Sequence, residues 1–169
     1  GKKVDRIIFA ITSADHANTR RNPIPLYLRV LAIEKFARDL PCEVKIYPIP
    51  DVKQTKKFAE YIIHQIEYFG GEKINSKNAI LACSTPPVID LFKKLKFDNL
   101  LVELVDSRKD KYSNLRPYEV VELLVKSGKE WRKDTKWKDF ASQATQDVYL
   151  EYNLGDNVIE LFKDSLINE

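Results

Sequence analysis

The chain has 169 residues, with 28 Lys and Arg against 25 Asp and Glu. That length accommodates one domain with a real hydrophobic core, so neither disulfide nor metal staples are required. A hydrophobic share of 44% with 11% aromatic residues excludes a disordered chain, and a net charge of +3 is too mild to indicate nucleic-acid binding by itself.

In chain order, Val4 leads into the apolar run Ile7 to Ile11, which reads as a strand buried on both faces. A polar stretch, Thr12 to Pro25, follows it. Leu26, Val30, Ile33, Ala37 and Leu40 then recur at helical spacing, and Pro41 stops that helix. Glu43 to Tyr47 is the second strand, closed by Pro48 and Pro50. Phe58, Ile62, Ile66 and Phe69 mark an amphipathic helix that ends at Gly70-Gly71. Ala79 to Cys83 reads as a third, fully apolar strand, and Pro86-Pro87 opens a short helix through Leu95.

Leu100 to Val105 is the last clear strand, followed by a charged loop from Asp106 to Arg116. Pro117 opens a helix closed at Ser127-Gly128. The tail reads as two more helices broken near Asn153 to Gly155, with Val148 to Tyr152 also open to a short strand. Strands alternating with helices predict an α/β, Rossmann-like parallel sheet with helices on both faces and a C-terminal helical tail. The expected division is an α/β domain over 1–130, with 131–169 as helices packed on it.

Cys42 and Cys83 make no disulfide framework and read as free thiols in a reducing compartment. No apolar stretch approaches the roughly 20 residues of a membrane helix and no signal-peptide pattern opens the chain, so the expected location is cytoplasmic, with no membrane partner. The chain has no Met and runs almost at once into a strand, which predicts a segment upstream of Gly1.

Ligands of parallel α/β sheets bind beyond the carboxyl ends of the strands. Those ends carry Thr12–Pro25, Pro48–Thr55, Ser84–Pro87 and Asp106–Arg116. The first holds His16, Arg20 and Arg21, with Arg29 in the helix beyond; the last holds Arg108, Lys109, Lys111 and Arg116. Each alone reads equally well as a solvated basic loop. Converging on one edge, they predict an anionic ligand such as a nucleotide, because arginine presents a planar fork of donors to phosphate oxygens. His16 is a candidate general acid or phosphate donor. No histidines stand at metal-ligand spacing, and neither Gly-rich phosphate loop is present, so no protein-held metal site is expected. Trp131, Trp137, Phe140, Tyr149 and Tyr152 lie among lysines in the tail; packed helices are the simpler reading, and stacking on single-stranded RNA the competing one.

Ser13-Ala14, Arg21-Asn22-Pro23 and Arg29 resemble, without a gap, the segment S-A-x6-R-D/N-P-x5-R of archaeal-type nicotinamide-nucleotide adenylyltransferases. Ile46 to Val52 is similar to the family's I-I-P-V/I-x-D-I/V, with the first proline displaced by one residue. Phe58 stands where the family carries a tryptophan near the nicotinamide. Ser84-Thr85-Pro86-Pro87 resembles its S-x-N-P, and Tyr112-Ser113 its Y-S. Glu119-Val120, Gly128 and Trp131 resemble the helix that follows.

The resemblance implies a nucleotidyltransferase of the H-x-G-H superfamily, moving an adenylyl group from ATP to a mononucleotide with release of pyrophosphate. Arg21 and His16 are then the candidate catalytic residues, although His16 matches no family residue. Ser13, Arg21, Asn22, Arg29, Asp51, Phe58, Ser84, Ser113 and Arg116 are the candidate nucleotide-binding residues. Mg2+ is implied as a substrate-borne cofactor, and a homo-oligomer stays open. The family's H-x-G-H precedes the matched region and is absent from this chain, which places that motif in the expected upstream strand. Pro86 replaces the family's asparagine, and Val121 stands where the family has an arginine, a role Arg116 would take. Those departures motivate a non-catalytic, nucleotide-binding or assembly domain as the alternative.

Overall fold

The computed structural model describes residues 4–53, 55–83, 85–100 and 117–163. Their fold is α/β, with one two-stranded parallel sheet and six α-helices among the described residues. The chain divides into two compact units, Gly1–Pro50 with Leu115–Glu169, and Asp51–Asn114.

In the first unit β1 (Arg6–Ile11) lies parallel to β2 (Glu43–Pro48), with Arg6 opposite Glu43 and Ile11 opposite Pro48. The connection carries α1 (Leu26–Ala37), as a parallel pair requires a crossover. Arg6 and Lys45 converge on the Glu43 carboxylate; the Lys45 hydrogen bond, then that of Arg6, hold it below its ordinary range. The apolar run expected to be buried on both faces is only half buried from Ile7 to Ala10, and Ile11 alone of these is fully buried. α1 ends at Ala37 rather than Leu40, whose N–H instead closes a turn onto the Ala37 carbonyl at 3.0 Å.

The rest of this unit is helical: α4 (Pro117–Ser127), α5 (Gln143–Glu151) and α6 (Leu154–Lys163), with short 3-10 turns at Gly128–Glu130 and Lys138–Phe140. The alternation over Val148 to Tyr152 lies mostly within α5 rather than a strand. Ser142 starts that helix by accepting from Thr145 N at 3.2 Å, and a capped first turn commits the residues behind it.

Two clusters hold the helices. Leu28 of α1 packs with Val148 and Leu154, and Leu124 of α4 packs with Trp131, Trp137, Val158 and Ile159. Tyr149 touches both clusters, and burial pushes its phenol up to about 12. An unfolded tyrosine ionises near pH 10, so the preference for the neutral phenol is whole below that pH. It is lost as pH rises from 10 towards 12, an effect on the order of 2–3 kcal/mol. The stability of Tyr149→Phe is accordingly expected to decline less than that of the parent across this window, as read by urea denaturation at successive pH values.

In the second unit α2 (Phe58–Gly70) buries Ala59, Ile62 and Ile66 and packs on α3 (Pro86–Lys94), which buries Ile89 and Phe92. Gly71 ends α2 at φ +70°, donating its N–H to the Glu67 carbonyl, a left-handed cap that suits glycine. Pro86 and Pro87 open α3 where the first-turn N–H groups have no intrahelical partner anyway. The third strand expected over Ala79 to Cys83 reduces to a single parallel bridge, Leu81 opposite Asn99. Its flanking residues Ile80 and Ala82 are exposed, so the apolar run is not sandwiched as the pattern predicts. Of the strand expected at Leu100 to Val105, all but Leu100 lies outside the described residues.

Candidate functional site

The polar loop after β1 is built from its first residues outward. Ile49 N donates to the Ile11 carbonyl at 2.8 Å, and Ala14 N donates to the Ile49 carbonyl at 3.1 Å. The loop is thereby stitched to the chain leaving β2, over a fully buried Ile49 side chain. The carboxyl ends of both strands, with Thr12–Pro25 and Pro48–Pro50 beyond them, are brought together as the crevice rule requires.

Ser13 sits at φ +52°, a left-handed conformation that a side chain adopts at a cost of about 1–3 kcal/mol. Arg29, in the first turn of α1, reaches back to this point. Nη1 donates to the Thr12 carbonyl at 3.0 Å, and Nη2 donates to the carbonyls of Ser13 at 2.8 Å and His16 at 3.3 Å. Hydrogen bonds from a charged donor contribute about 1.5–3 kcal/mol, enough to offset the strained residue they enclose. Arg29 therefore organises the loop from behind. His16 N closes a turn onto the Ser13 carbonyl at 3.2 Å, and the His16 ring lies 3.7 Å from the Asp15 carboxylate with both side chains half exposed.

Farther along, Asn22 N donates to Thr19 Oγ1 at 2.9 Å and Thr19 N returns a bond to the Asn22 carbonyl at 3.3 Å. This small ring sets the neighbouring arginines apart. Arg20 turns inward to the carboxyl end of α6, donating from Nη2 to the Phe162 carbonyl at 3.2 Å. Arg21 is exposed, and its guanidinium bonds to no other described residue.

Ser13, His16, Arg21, Asn22 and Arg29 thus belong to one loop and the helix turn behind it. Asp51, exposed, and Phe58, half buried with its ring 6.5 Å from that of Tyr61, belong to the second unit. Ser84, Ser113 and Arg116 lie outside the described residues. Sequence reasoning passed over Ile49 and the inward path of Arg20; the partners of both are remote in the chain, so no local pattern signals them. In the tail, Trp131 and Trp137 are buried and present no face for base stacking, whereas Tyr152 is exposed.

An open depression lined by Val4, Ile7, Leu40 and Cys42 lies at the opposite, amino ends of the strands. Asp5 and Glu43 also line it, so its polar rim is acidic, whereas the Thr12–Pro25 loop carries His16, Arg20 and Arg21. Among the described residues no group of three or more His, Cys, Asp or Glu is placed to hold a metal ion. No described helix is long and apolar enough to cross a membrane. No protein-family model and no curated protein matches the chain.

Proposed function

We propose that the protein is a nucleotidyltransferase that transfers the adenylyl group of ATP to a mononucleotide such as nicotinamide mononucleotide, within a Rossmann-like sheet of which β1 and β2 form part. A phosphate oxygen of the acceptor attacks the α-phosphorus of ATP. The bond from that phosphorus to the α,β-bridging oxygen breaks, and pyrophosphate leaves carrying the electron pair.

The observation that carries the reading is where its motif falls. Ser13-Ala14, Arg21-Asn22-Pro23 and Arg29 run from the carboxyl end of β1 to the first turn of α1, the stretch in which parallel α/β folds bind nucleotides. Arg29 shapes the backbone, and Arg21 is left to face phosphate oxygens with a forked, permanently charged group. Such a site acts by positioning reactants and stabilising charge on the transferred group. Magnesium belongs to the ATP substrate and screens its phosphates.

The test is pyrophosphate release by the full natural protein with ATP and nicotinamide mononucleotide. Arg21→Ala is expected to raise the KM for ATP by about 10–100-fold, the loss of one charged phosphate contact. Release with no acceptor mononucleotide would overturn the reading, and so would an Arg21→Ala enzyme with unchanged KM. A second reading, nucleotide binding without turnover, is favoured by Pro86. It opens α3 in place of the family's asparagine and has neither an N–H nor a polar side chain to offer a ligand. ATP binding by calorimetry with no pyrophosphate release selects that reading.

A further inference from the structure

We propose that Arg20 is a positioning residue that couples the order of the Thr12–Pro25 loop to the carboxyl end of α6. Where this concerns nucleotide affinity it rests on the function proposed above. Arg20 and Arg21 are adjacent, yet Arg21 is exposed while Arg20 is half buried. The Arg20 guanidinium stands over the Phe162 ring at 5.7 Å, with Nη2 donating to the Phe162 carbonyl at 3.2 Å and Nε 3.5 Å from the Leu161 carbonyl. Carbonyls in the last turn of a helix have no partner within it, and the helix dipole favours a cation there.

α6 is a firm body for the loop to grip. Leu154, Val158 and Ile159 are buried, and they pack with Leu28, Leu124, Trp131 and Trp137. Ile24, at the far end of the loop, packs on both of these clusters. The loop is therefore held at two places, by two elements of the same unit. Arg29 of α1 clasps 12–16, while Arg20 and Ile24 fasten 20–24 to the C-terminal helices. Between these attachments Asn18 is exposed and sits at φ +56°, a left-handed position that asparagine tolerates. A ligand that orders this loop must, by linkage, also stabilise the end of α6, and loosening α6 must weaken the ligand by the same factor.

The experiment is hydrogen exchange of the full protein, read by mass spectrometry, on the parent, Arg20→Ala, Arg20→Lys and Lys35→Ala. Lys35 pairs with Glu151 at 2.7 Å and so joins α1 to α5 without touching the loop. Without ligand, Arg20→Ala is expected to speed exchange about tenfold in both 12–23 and 157–163 while α4 keeps its protection. Arg20→Lys, which keeps the charge without the fork, should recover part of it, and Lys35→Ala should leave the loop unchanged. With saturating ATP, the parent should gain protection in 157–163. Arg20→Ala should lose that gain and bind ATP about tenfold more weakly. Unchanged exchange in the loop of Arg20→Ala, or uniform acceleration across every helix, would overturn the coupling. If the parent binds no ATP the proposed function falls, and the ligand-free comparison still decides whether Arg20 couples loop and helix.

Discussion

Gly155→Ala is expected to be among the most destabilising single-methyl changes available in this chain. A Cβ at position 155 would lie 2.2 Å from Trp131 Cδ2, 2.4 Å from Cε2 and 2.6 Å from Cε3. The indole has nowhere to retreat. Trp131 is fully buried, its Nε1 donates to Asp156 Oδ1 at 2.7 Å, and its carbonyl accepts from Trp137 Nε1 at 2.8 Å. Arg132 covers the ring at 4.7 Å and pairs with Asp156 at 3.1 Å. Hydrogen bonds from Trp131, first, and Asn153, with the nearby Arg132 charge, hold the Asp156 carboxyl below its ordinary range and keep it ionised as the ring's acceptor.

Alanine is a better helix former than glycine by about 1 kcal/mol, so propensity alone would predict a gain. Overpacking a rigid core costs about 1–3 kcal/mol and more when backbone must move; with three ring atoms in the way it wins. A net loss of about 2 kcal/mol, or a fall in Tm of about 4–8 °C, is the expected outcome of thermal denaturation followed by circular dichroism. Adding Trp131→Phe should make the Gly155→Ala step cheaper, because the smaller ring vacates the space the methyl needs. An unchanged or higher Tm for Gly155→Ala contradicts this packing.

Arg29→Ala is the change expected to damage the candidate site most, although the Arg29 guanidinium points at the protein's own carbonyls. Three carbonyls, of Thr12, Ser13 and His16, would lose a charged donor together. Only the bond to the Ser13 carbonyl is part-buried, and a buried acceptor stripped of its partner costs about 1–3 kcal/mol; the exposed carbonyls of Thr12 and His16 can turn to water and add less. The expected result is a stability loss of about 2 kcal/mol, with the left-handed Ser13 relaxing first. Nucleotide affinity, if the proposed function holds, should fall with it. Arg29→Lys should rescue little, since one ammonium cannot span carbonyls that a planar fork reaches from two nitrogens. Hydrogen exchange in 12–18 separates the roles: removing a residue that only contacts phosphate weakens binding and leaves loop exchange alone, whereas removing a loop organiser weakens binding and speeds loop exchange.

Much of the secondary structure was legible because its causes are local. Gly70-Gly71 stops α2, Pro86-Pro87 starts α3 and Pro117 starts α4, where backbone geometry within a few residues decides the matter. The break between α5 and α6 was legible near Asn153, which adopts φ +55° there. At Val148 to Tyr152 the sequence reads as helix with a short strand left open, and the Ser142 cap and the burial of Val148 favour the helix. The continuous apolar run Ala79 to Cys83 misled, because such a run is no assurance of a neighbour on each side; among the described residues only Leu81 of it makes a bridge.

By itself, the sequence determined the alternation of strand and helix at the start of the chain, the parallel pairing it requires, and the loop at which arginines are concentrated. What only the tertiary structure decided is the work of each cation in that loop. Arg20, Arg21 and Arg29 read alike as residues, yet one grips a helix end more than a hundred residues away, one faces solvent and one holds the loop from within. A guanidinium binds whichever acceptors packing brings within reach, and the Phe162 carbonyl is brought to Arg20 by the packing of α6 on Leu124, Trp131 and Trp137. Local pattern carries the elements; long-range packing assigns the donors.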